Sequence, residues 1–413
     1  MSADVNDGED FTSLDHLVPV LQQLVRIPSI NPGGDERAVV ERIRQLLDGT
    51  GVEMHVVEHE PGRPSLAAVL PGKRGGPTLV LNGHTDTVPI DDENLWTTKP
   101  FEAEVRDGFI YGRGACDMKA GLAIAIGILR NLARDVPAEQ RGTLIAHFAA
   151  GEERGEPGTL ALVEAGHVGD YGIVMEPTCL QVATATRGVG RYTIRVKGRA
   201  GHASKPEYGR NPIWAVSNVI GALEKYRAGV GSVTHPMLPP GTCTPTVVRA
   251  GASENAIPDW CDILIDRRLV PGESAVTEGQ RLNAHLQEAA AAGLPEDVEI
   301  EMTTLLAADP AEIDADSPFA QLMLQCLRDE VGGSPVAVGM PFGSDTRNLV
   351  NEGGMQALTF GPGDIGECHC ADERLSLDEF SSAASILTRV TKAVLIDGVL
   401  DGASSTARQE VLR

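Results

Sequence analysis

The chain has 413 residues, of which 42% are hydrophobic and 23% charged, and its formal net charge is −23. This length predicts two or three domains with a sizeable buried core. The negative charge excludes nucleic acid and anionic membrane surfaces as expected partners, and no apolar run approaches the roughly 18 residues that span a bilayer. We therefore expect a soluble globular protein.

The cysteines indicate a reducing compartment. There are seven, an odd number, and most of them are scattered along the chain. The N-terminal stretch MSADVNDGEDFTSLDHL is acidic and has neither the basic nor the apolar region of a secretory signal. Free thiols and the lack of a signal pattern predict a cytoplasmic protein.

The first part of the chain alternates predicted helices and strands. Helical periodicity covers residues 14–28 and 36–49, and strand-like runs follow at VEMHVVEH, SLAAVLPG and PTLVLNGHTD. A helix over 118–134 and a strand at GTLIAHFAAGEE continue the alternation. This order is typical of an α/β domain whose central sheet is largely covered.

The pattern changes after the stretch YGIVMEPT. A half-exposed strand and turn at GRYTIRVKGRAGHAS and a helix at NPIWAVSNVIGALEKYR come first. Strands at TCTPTVVRAG and WCDILIDRRLV follow, and then a helix near 275–292. This β-α-β-β-α order predicts a small α+β, ferredoxin-like module at 186–299. We expect it to be inserted into the α/β domain, which would comprise residues 1–185 and 300–413 and close with a helix over 377–395.

Polar side chains recur where predicted strands or glycine-rich turns end. His84 and Asp86 follow an apolar strand and point to the same side of it. Ligands gather at the carboxyl ends of strands in open α/β sheets, so these side chains are expected to converge on one crevice. Taken singly, each also fits an ordinary role as a helix cap, a solvated loop charge or a surface histidine. The further positions of this kind are Asp117, Glu152, Glu153, Glu176 and His369.

Six motifs occur in order along the chain: GHTDTVP, GRGACDMKAG, GEERGEPGT, MEPT, GRAGHAS and GPG…CH. With them the chain resembles the two-metal hydrolases that include acetylornithine deacetylase, succinyl-diaminopimelate desuccinylase, aminoacylase and glutamate carboxypeptidase. The resemblance covers about residues 15–395. It implies a zinc-peptidase-like catalytic domain with a central mixed sheet, interrupted by a lid domain through which two copies form a homodimer.

The resemblance also implies a set of metal ligands. His84 and Glu176 would hold one divalent ion, Glu153 and His369 would hold the other, and Asp117 would bridge both. Imidazole and carboxylate ligands suit Zn²⁺ and also Co²⁺ or Mn²⁺. Zinc is the expected metal.

Further roles follow from the same resemblance. Asp86 would orient the metal-binding histidine through a hydrogen bond, and Glu152 would act as the general base for a metal-bridged water. Because neighbouring side chains of an extended chain point apart, Glu152 and Glu153 could take different roles. His202 of the lid would stabilise the oxyanion, from its own or the partner subunit. Similar proteins have a cis peptide bond after the bridging aspartate, here Asp117–Met118.

Four side chains match positions that bind the substrate carboxylate in similar proteins, and arginine suits that task because its guanidinium pairs with a carboxylate through two hydrogen bonds. For Arg268, an ion pair on the strand surface is an equally good interpretation. The four are Arg347, Asn255, Arg187 and Arg268.

The leading hypothesis is a hydrolase that removes an acyl group from an N-acyl amino acid. Glu176 and Arg347 favour the deacylases, since peptidase relatives often carry aspartate at the former position. The alternative is a metallo-exopeptidase, a carboxypeptidase or dipeptidase, acting on a short peptide. A non-catalytic metal-binding protein is disfavoured because Glu152 is present. Cys368 and Cys370 flank His369 and are interpreted as buried thiols rather than ligands.

Overall fold

The computed structural model describes residues 9–33, 35–155, 157–294 and 297–402. Within these ranges no helix combines the length and the apolar character that crossing a membrane requires.

The helices are α1 Leu14–Val25, α2 Arg37–Leu47, α3 Ala120–Asp135, α4 Pro157–Glu164, α5 Val216–Arg227, α6 Ala275–Gly293, α7 Pro318–Val331 and α8 Leu377–Leu395. The strands are β1 Glu53–Glu60, β2 Arg63–Leu70, β3 Thr78–His84, β4 Glu104–Arg106, β5 Phe109–Tyr111, β6 Thr143–Ala149, β7 Tyr171–Val174, β8 Ala183–Thr186, β9 Gly188–Lys197, β10 Gly201–His202, β11 Thr242–Ala250, β12 Ala256–Ile257, β13 Trp260–Leu269, β14 Glu299–Ala308, β15 Ala311–Glu312, β16 Val338–Met340, β17 Gln356–Thr359 and β18 Arg374–Ser376.

The ends of the helices follow local capping chemistry. The hydroxyl of Ser376 accepts a hydrogen bond from the N–H of Glu379 at 3.4 Å, which starts α8. The predicted closing helix over 377–395 is thereby confirmed. Ser317 caps α7 in the same way, and Gly332, with φ of 77°, ends it.

The chain divides into two compact units. The first runs to Thr184 and adds Glu312–Val338 and the residues from Ser344 onward. The second comprises Ala185–Ala311 and Gly339–Gly343. It therefore continues past residue 299, where the sequence pattern predicts its end, because β14 pairs with β9 along almost its whole length.

The main sheet of the first unit is mixed. Its strand order is β1-β2-β6-β3-β7-β17-β8-β15, and β16 pairs with β8. Strands β6, β3, β7 and β17 run parallel to one another, whereas β2 pairs antiparallel with β6. The carboxyl ends of the four parallel strands therefore lie at one edge of the sheet.

Both faces of this sheet are covered, as the sequence predicts. In β3, Leu79 and Leu81 face one hydrophobic cluster, which includes residues of α1, α2, α3 and α8. Val80, between them, faces a second cluster with Leu162 and Val163 of α4. Successive strand residues point to opposite faces, so an unbroken apolar run is what a sheet with two covered faces requires.

The second unit contains an antiparallel sheet, ordered β11-β13-β9-β14, that is four strands wide in the described residues. Together with α5 and α6 it has the chain order β-α-β-β-α-β of a ferredoxin-like fold. Inward-facing residues of β9 and β13, such as Ile194 and Ile263, share a core with Leu223 of α5 and Leu282 of α6. The unit thus has a hydrophobic core of its own.

Candidate metal centre

The parallel strands deliver most of the expected ligands to one edge of the main sheet. His84 is the last residue of β3, and Glu176 follows β7 by two residues. Glu153 lies in the turn after β6, and His369 lies in the loop after β17. The expected convergence at the carboxyl ends of strands follows from this parallel pairing.

Asp117 lies between two histidines. Its Oδ1 is 3.0 Å from Nε2 of His84, and its Oδ2 is 3.1 Å from Nε2 of His369. Oε1 of Glu176 is 3.9 Å from the same nitrogen of His84, and Oε1 of Glu153 is 3.2 Å from that of His369. Each half of the cluster thus contains one histidine, one glutamate and one oxygen of Asp117.

The charges of this cluster fit divalent cations. Burial and the nearby charge of Asp117 raise the pKa of Glu176 well above its usual range, and burial likewise raises the pKa of Glu153. Hydrogen bonds with Asp117 and Glu153 raise the pKa of His369 to about 10. Buried carboxylates this close repel one another unless positive charge is shared among them. Imidazole nitrogens and carboxylate oxygens are suitable ligands for Zn²⁺, Co²⁺ and Mn²⁺.

The segment that carries Asp117 is irregular. Asp117 and Met118 have non-helical φ/ψ angles inside a wide turn, Ala115–Lys119, that precedes α3. The Asp117–Met118 peptide bond is cis, as the resemblance implies. The N-cap of α3 is Lys119, so Asp117 is not the helix cap that an ordinary structural interpretation suggests.

Glu152 and Glu153 lie in one short helical turn rather than in extended chain. The turn is 3-10 in type and lies between Gly151 and Gly155, whose φ angles are 83° and 113°. Positive φ favours glycine at both ends of the turn. The expectation that an extended backbone separates the two glutamates is therefore wrong, because both side chains project from a 3-10 turn.

The carboxylate of Asp86 contacts this turn. Its Oδ1 accepts hydrogen bonds from the N–H groups of Gly151 at 3.0 Å and Glu152 at 3.1 Å, and its Oδ2 accepts one from Glu153 at 3.3 Å. Nδ1 of His84 donates to the main-chain carbonyl of Asp86 at 2.9 Å and lies 3.6 Å from the carboxylate. Asp86 thus orients the histidine through its backbone and the glutamate turn through its side chain.

The sequence matches peptidase family M20/M25/M40 over residues 80–393. The chain belongs to this family. A succinyl-diaminopimelate desuccinylase of Paracoccus denitrificans is 30% identical over 378 residues, which cover 89% of this chain and 95% of that protein.

Solved structures of the family share the fold. The metallo-carboxypeptidase Sso-CP2 of Sulfolobus solfataricus matches with a TM-score of 0.77 and 19% identity, over 92% of this chain and 99% of that one. A dinuclear metal-binding peptidase of Bacillus subtilis matches with a TM-score of 0.66 and 20% identity, over 94% and 99%. As a member of this peptidase family, the chain is a hydrolase.

One of the expected substrate-binding residues lies beside the glutamate turn. Nη2 of Arg347 donates to the carbonyl of Gly155 at 3.4 Å, at the end of that turn. His202 and Asn255 belong to the second unit, where the N–H of Ala203 donates to the carbonyl of Asn255 at 2.9 Å. The structure therefore brings His202 and Asn255 together.

The remaining two arginines are also in the second unit. Nε of Arg268 donates to Oδ1 of Asp266 at 2.8 Å, which is the ion pair on the strand surface that the alternative interpretation predicts. Arg187 is buried and donates to the carbonyl of Pro240. Their roles in substrate binding stay predictions.

The cysteines beside His369 differ from each other. Cys368 is buried, with its Sγ 3.5 Å from Sγ of Cys116, whereas Cys370 is exposed. The prediction of a buried thiol is confirmed for Cys368 and wrong for Cys370. All seven cysteines are among the described residues, and none forms a disulfide.

Sequence reasoning missed two charged residues at this site. Glu373 and Arg113 are buried, and Nη1 of Arg113 lies 2.6 Å from Oε2 of Glu373. In the sequence Glu373 stands in the polar run CADER, which looks like a solvated loop. Because the two residues are 260 positions apart, no local pattern links them.

Proposed function

We propose that the chain hydrolyses the amide bond of an N-acyl amino acid and uses two divalent metal ions, for which Zn²⁺ is the expected metal. The observation that carries the proposal is the position of Asp117, with one carboxylate oxygen near His84 and the other near His369. A carboxylate between two histidines, each with its own glutamate, suits a pair of ions better than a single one.

Each residue of the site has a separate role in the proposed reaction. Two divalent ions bound here would polarise the substrate carbonyl and lower the pKa of a water molecule. Glu152 accepts a proton from the attacking water and delivers it to the leaving amine nitrogen. His202 donates a hydrogen bond to the carbonyl oxygen as negative charge develops on it. Asp86 holds Glu152 in place through the N–H groups of the turn.

The position of Arg347 supports a substrate that carries the α-carboxylate of an amino acid. Its guanidinium lies at the end of the glutamate turn, where it can pair with the α-carboxylate of the substrate. Asn255, Arg187 and Arg268 are proposed as further carboxylate contacts. The desuccinylase name of the relative from Paracoccus denitrificans supports an acyl group rather than a peptide on the amine side.

The alternative within the same chemistry is a metallo-exopeptidase. The matched structure from Sulfolobus solfataricus is a metallo-carboxypeptidase, and a dipeptide would present the same carboxylate to Arg347. A non-catalytic metal-binding role is disfavoured because Glu152, the proposed general base, is present in the sequence. We further propose a homodimer formed through the second unit, and a cytoplasmic location, which the free thiols support.

A substrate panel tests the proposal. N-succinyl, N-acetyl and N-formyl amino acids and matched dipeptides are assayed with the protein loaded with Zn²⁺, Co²⁺ or Mn²⁺. We expect at least one N-acyl amino acid to be hydrolysed with a higher kcat/KM than any dipeptide. Preference for dipeptides would establish the exopeptidase alternative, and no turnover of any compound by metal-loaded protein would refute both.

A further inference from the structure

A second buried carboxylate adjoins the metal centre without being one of its expected ligands. Glu373 is 1% exposed and lies four residues after His369, directly before β18. Strand β18 pairs with β5, so the segment after His369 runs beside the segment that leads to Asp117. Glu373 thus lies where the two ligand-bearing segments meet.

One oxygen of Glu373 holds the turn that carries Asp117. Oε1 accepts hydrogen bonds from the N–H groups of Gly114 at 2.9 Å, Cys116 at 3.0 Å and Asp117 at 3.1 Å. The main-chain carbonyl of Glu373 accepts another from Gly112 at 2.9 Å. These contacts fix a stretch of chain that has no regular helix or strand to hold it.

The other oxygen is paired with a buried cation. Nη1 of Arg113 lies 2.6 Å from Oε2 of Glu373, and Arg113 is only 3% exposed. A buried ion pair gives little net stability compared with apolar side chains of similar size. Its presence here is better explained by what it positions, since Arg113 holds the carboxylate so that Oε1 faces the turn.

We propose that Glu373 is a positioning residue for the bridging carboxylate of Asp117. The inference rests on the proposed function, in which Asp117 bridges two ions. By holding three N–H groups of the turn, Glu373 keeps the two oxygens of Asp117 within 3.0 and 3.1 Å of the histidines on either side. Asp86 holds the glutamate turn by the same means, with one carboxylate accepting three N–H groups. Residues that orient metal ligands in this way commonly affect metal affinity by about 10–100-fold.

Cobalt binding tests the proposal without any assay of hydrolysis. The full chain is stripped of metal, and Co²⁺ affinity is measured by competition with a chelator, together with the visible absorption of bound Co²⁺. The variant E373L/R113M removes both the acceptor oxygens and both charges, so the net charge near the site does not change. The control E278L/R267M removes a buried contact in the second unit, where Nη2 of Arg267 lies 3.0 Å from Oε2 of Glu278 and also contacts Glu273.

We expect E373L/R113M to bind Co²⁺ about 10–100-fold more weakly, with an altered absorption spectrum, while the control binds like the wild type. Wild-type affinity and spectrum in E373L/R113M would overturn the proposal, and so would an equal loss in the control. If the double variant does not fold, Co²⁺ affinity and the absorption spectrum are measured on E373Q instead, and the same outcomes support or overturn the proposal. D117A serves as the benchmark: if it binds Co²⁺ like the wild type, the bridging role fails and the proposed function with it. If the substrate panel alone shows no turnover, the Co²⁺ result for Glu373 still stands, because it does not depend on hydrolysis.

Discussion

Glu152 and Glu153 are adjacent in one turn and both lie near His84, but their other neighbours differ. Oε1 of Glu153 is 3.2 Å from Nε2 of His369, whereas a carboxylate oxygen of Glu152 lies within 4.8 Å of ligand atoms of His84 and Glu176. We predict that Glu152→Ala lowers kcat by about 10²–10⁴-fold, the usual contribution of a general base, and leaves metal content near two ions per chain. Steady-state kinetics and elemental analysis of the dialysed protein measure both quantities.

Glu153→Ala is the matched variant for this prediction. It removes the same side chain one position further along the turn, and we expect it to lose metal as well as activity, because a ligand rather than a base is missing. The opposite pattern, with metal lost in Glu152→Ala and retained in Glu153→Ala, would show that the roles of the two glutamates are exchanged.

The chemistry of single residues explains how far the site could be predicted. His84, Asp117 and Glu176 stand out because a polar side chain directly after an apolar strand or a glycine turn is unusual. Glu373 has no such signal, since its function depends on N–H groups that approach it only in the folded chain. The side-chain contact of Asp86 with the glutamate turn was hidden for the same reason.

At the scale of elements, the turn between β6 and α4 is held from outside by Asp86. We predict that Asp86→Asn lowers kcat by about 10–100-fold with little change in KM, because one of the oxygens that accept N–H groups is replaced by an NH₂ group that cannot accept them. Kinetics with the best substrate of the panel, and circular dichroism to verify folding, measure the effect. A change in KM alone would place Asp86 in substrate binding instead.

The elements themselves were predictable where their signals are local. Helix α8 has a serine cap with glutamate three residues later, and its predicted range is confirmed. Helix α4 was missed, because its start PGTL reads as a turn. Gly158 in this helix packs closely against the main chain of Ala150, since a Cβ at position 158 would lie 2.2 Å from the carbonyl oxygen of Ala150. The end of the second unit was misplaced because strand pairing, which holds β14 to β9, is not visible in sequence.

At the scale of the whole molecule, the two units have separate cores, and all of the expected metal ligands belong to the first. A ligand that binds only the native state stabilises the part of the protein that forms its site. At a free metal concentration 100-fold above Kd this amounts to about 2.7 kcal/mol. That raises Tm by roughly 5–10 °C for a domain of about 150–250 residues, and by less for a larger unit such as the first. The metal should therefore stabilise the two units unequally.

We predict that calorimetry of the full chain resolves two transitions, of which removal of metal by a chelator lowers only one. The variant Ile263→Ala, in the core of the second unit, identifies the other transition, because loss of a fully buried isoleucine side chain costs about 2–5 kcal/mol. The two perturbations should act on different transitions and add when combined, since they affect separate cores. A single transition that both the chelator and Ile263→Ala lower would show instead that the units unfold together, with the metal stabilising the molecule as a whole.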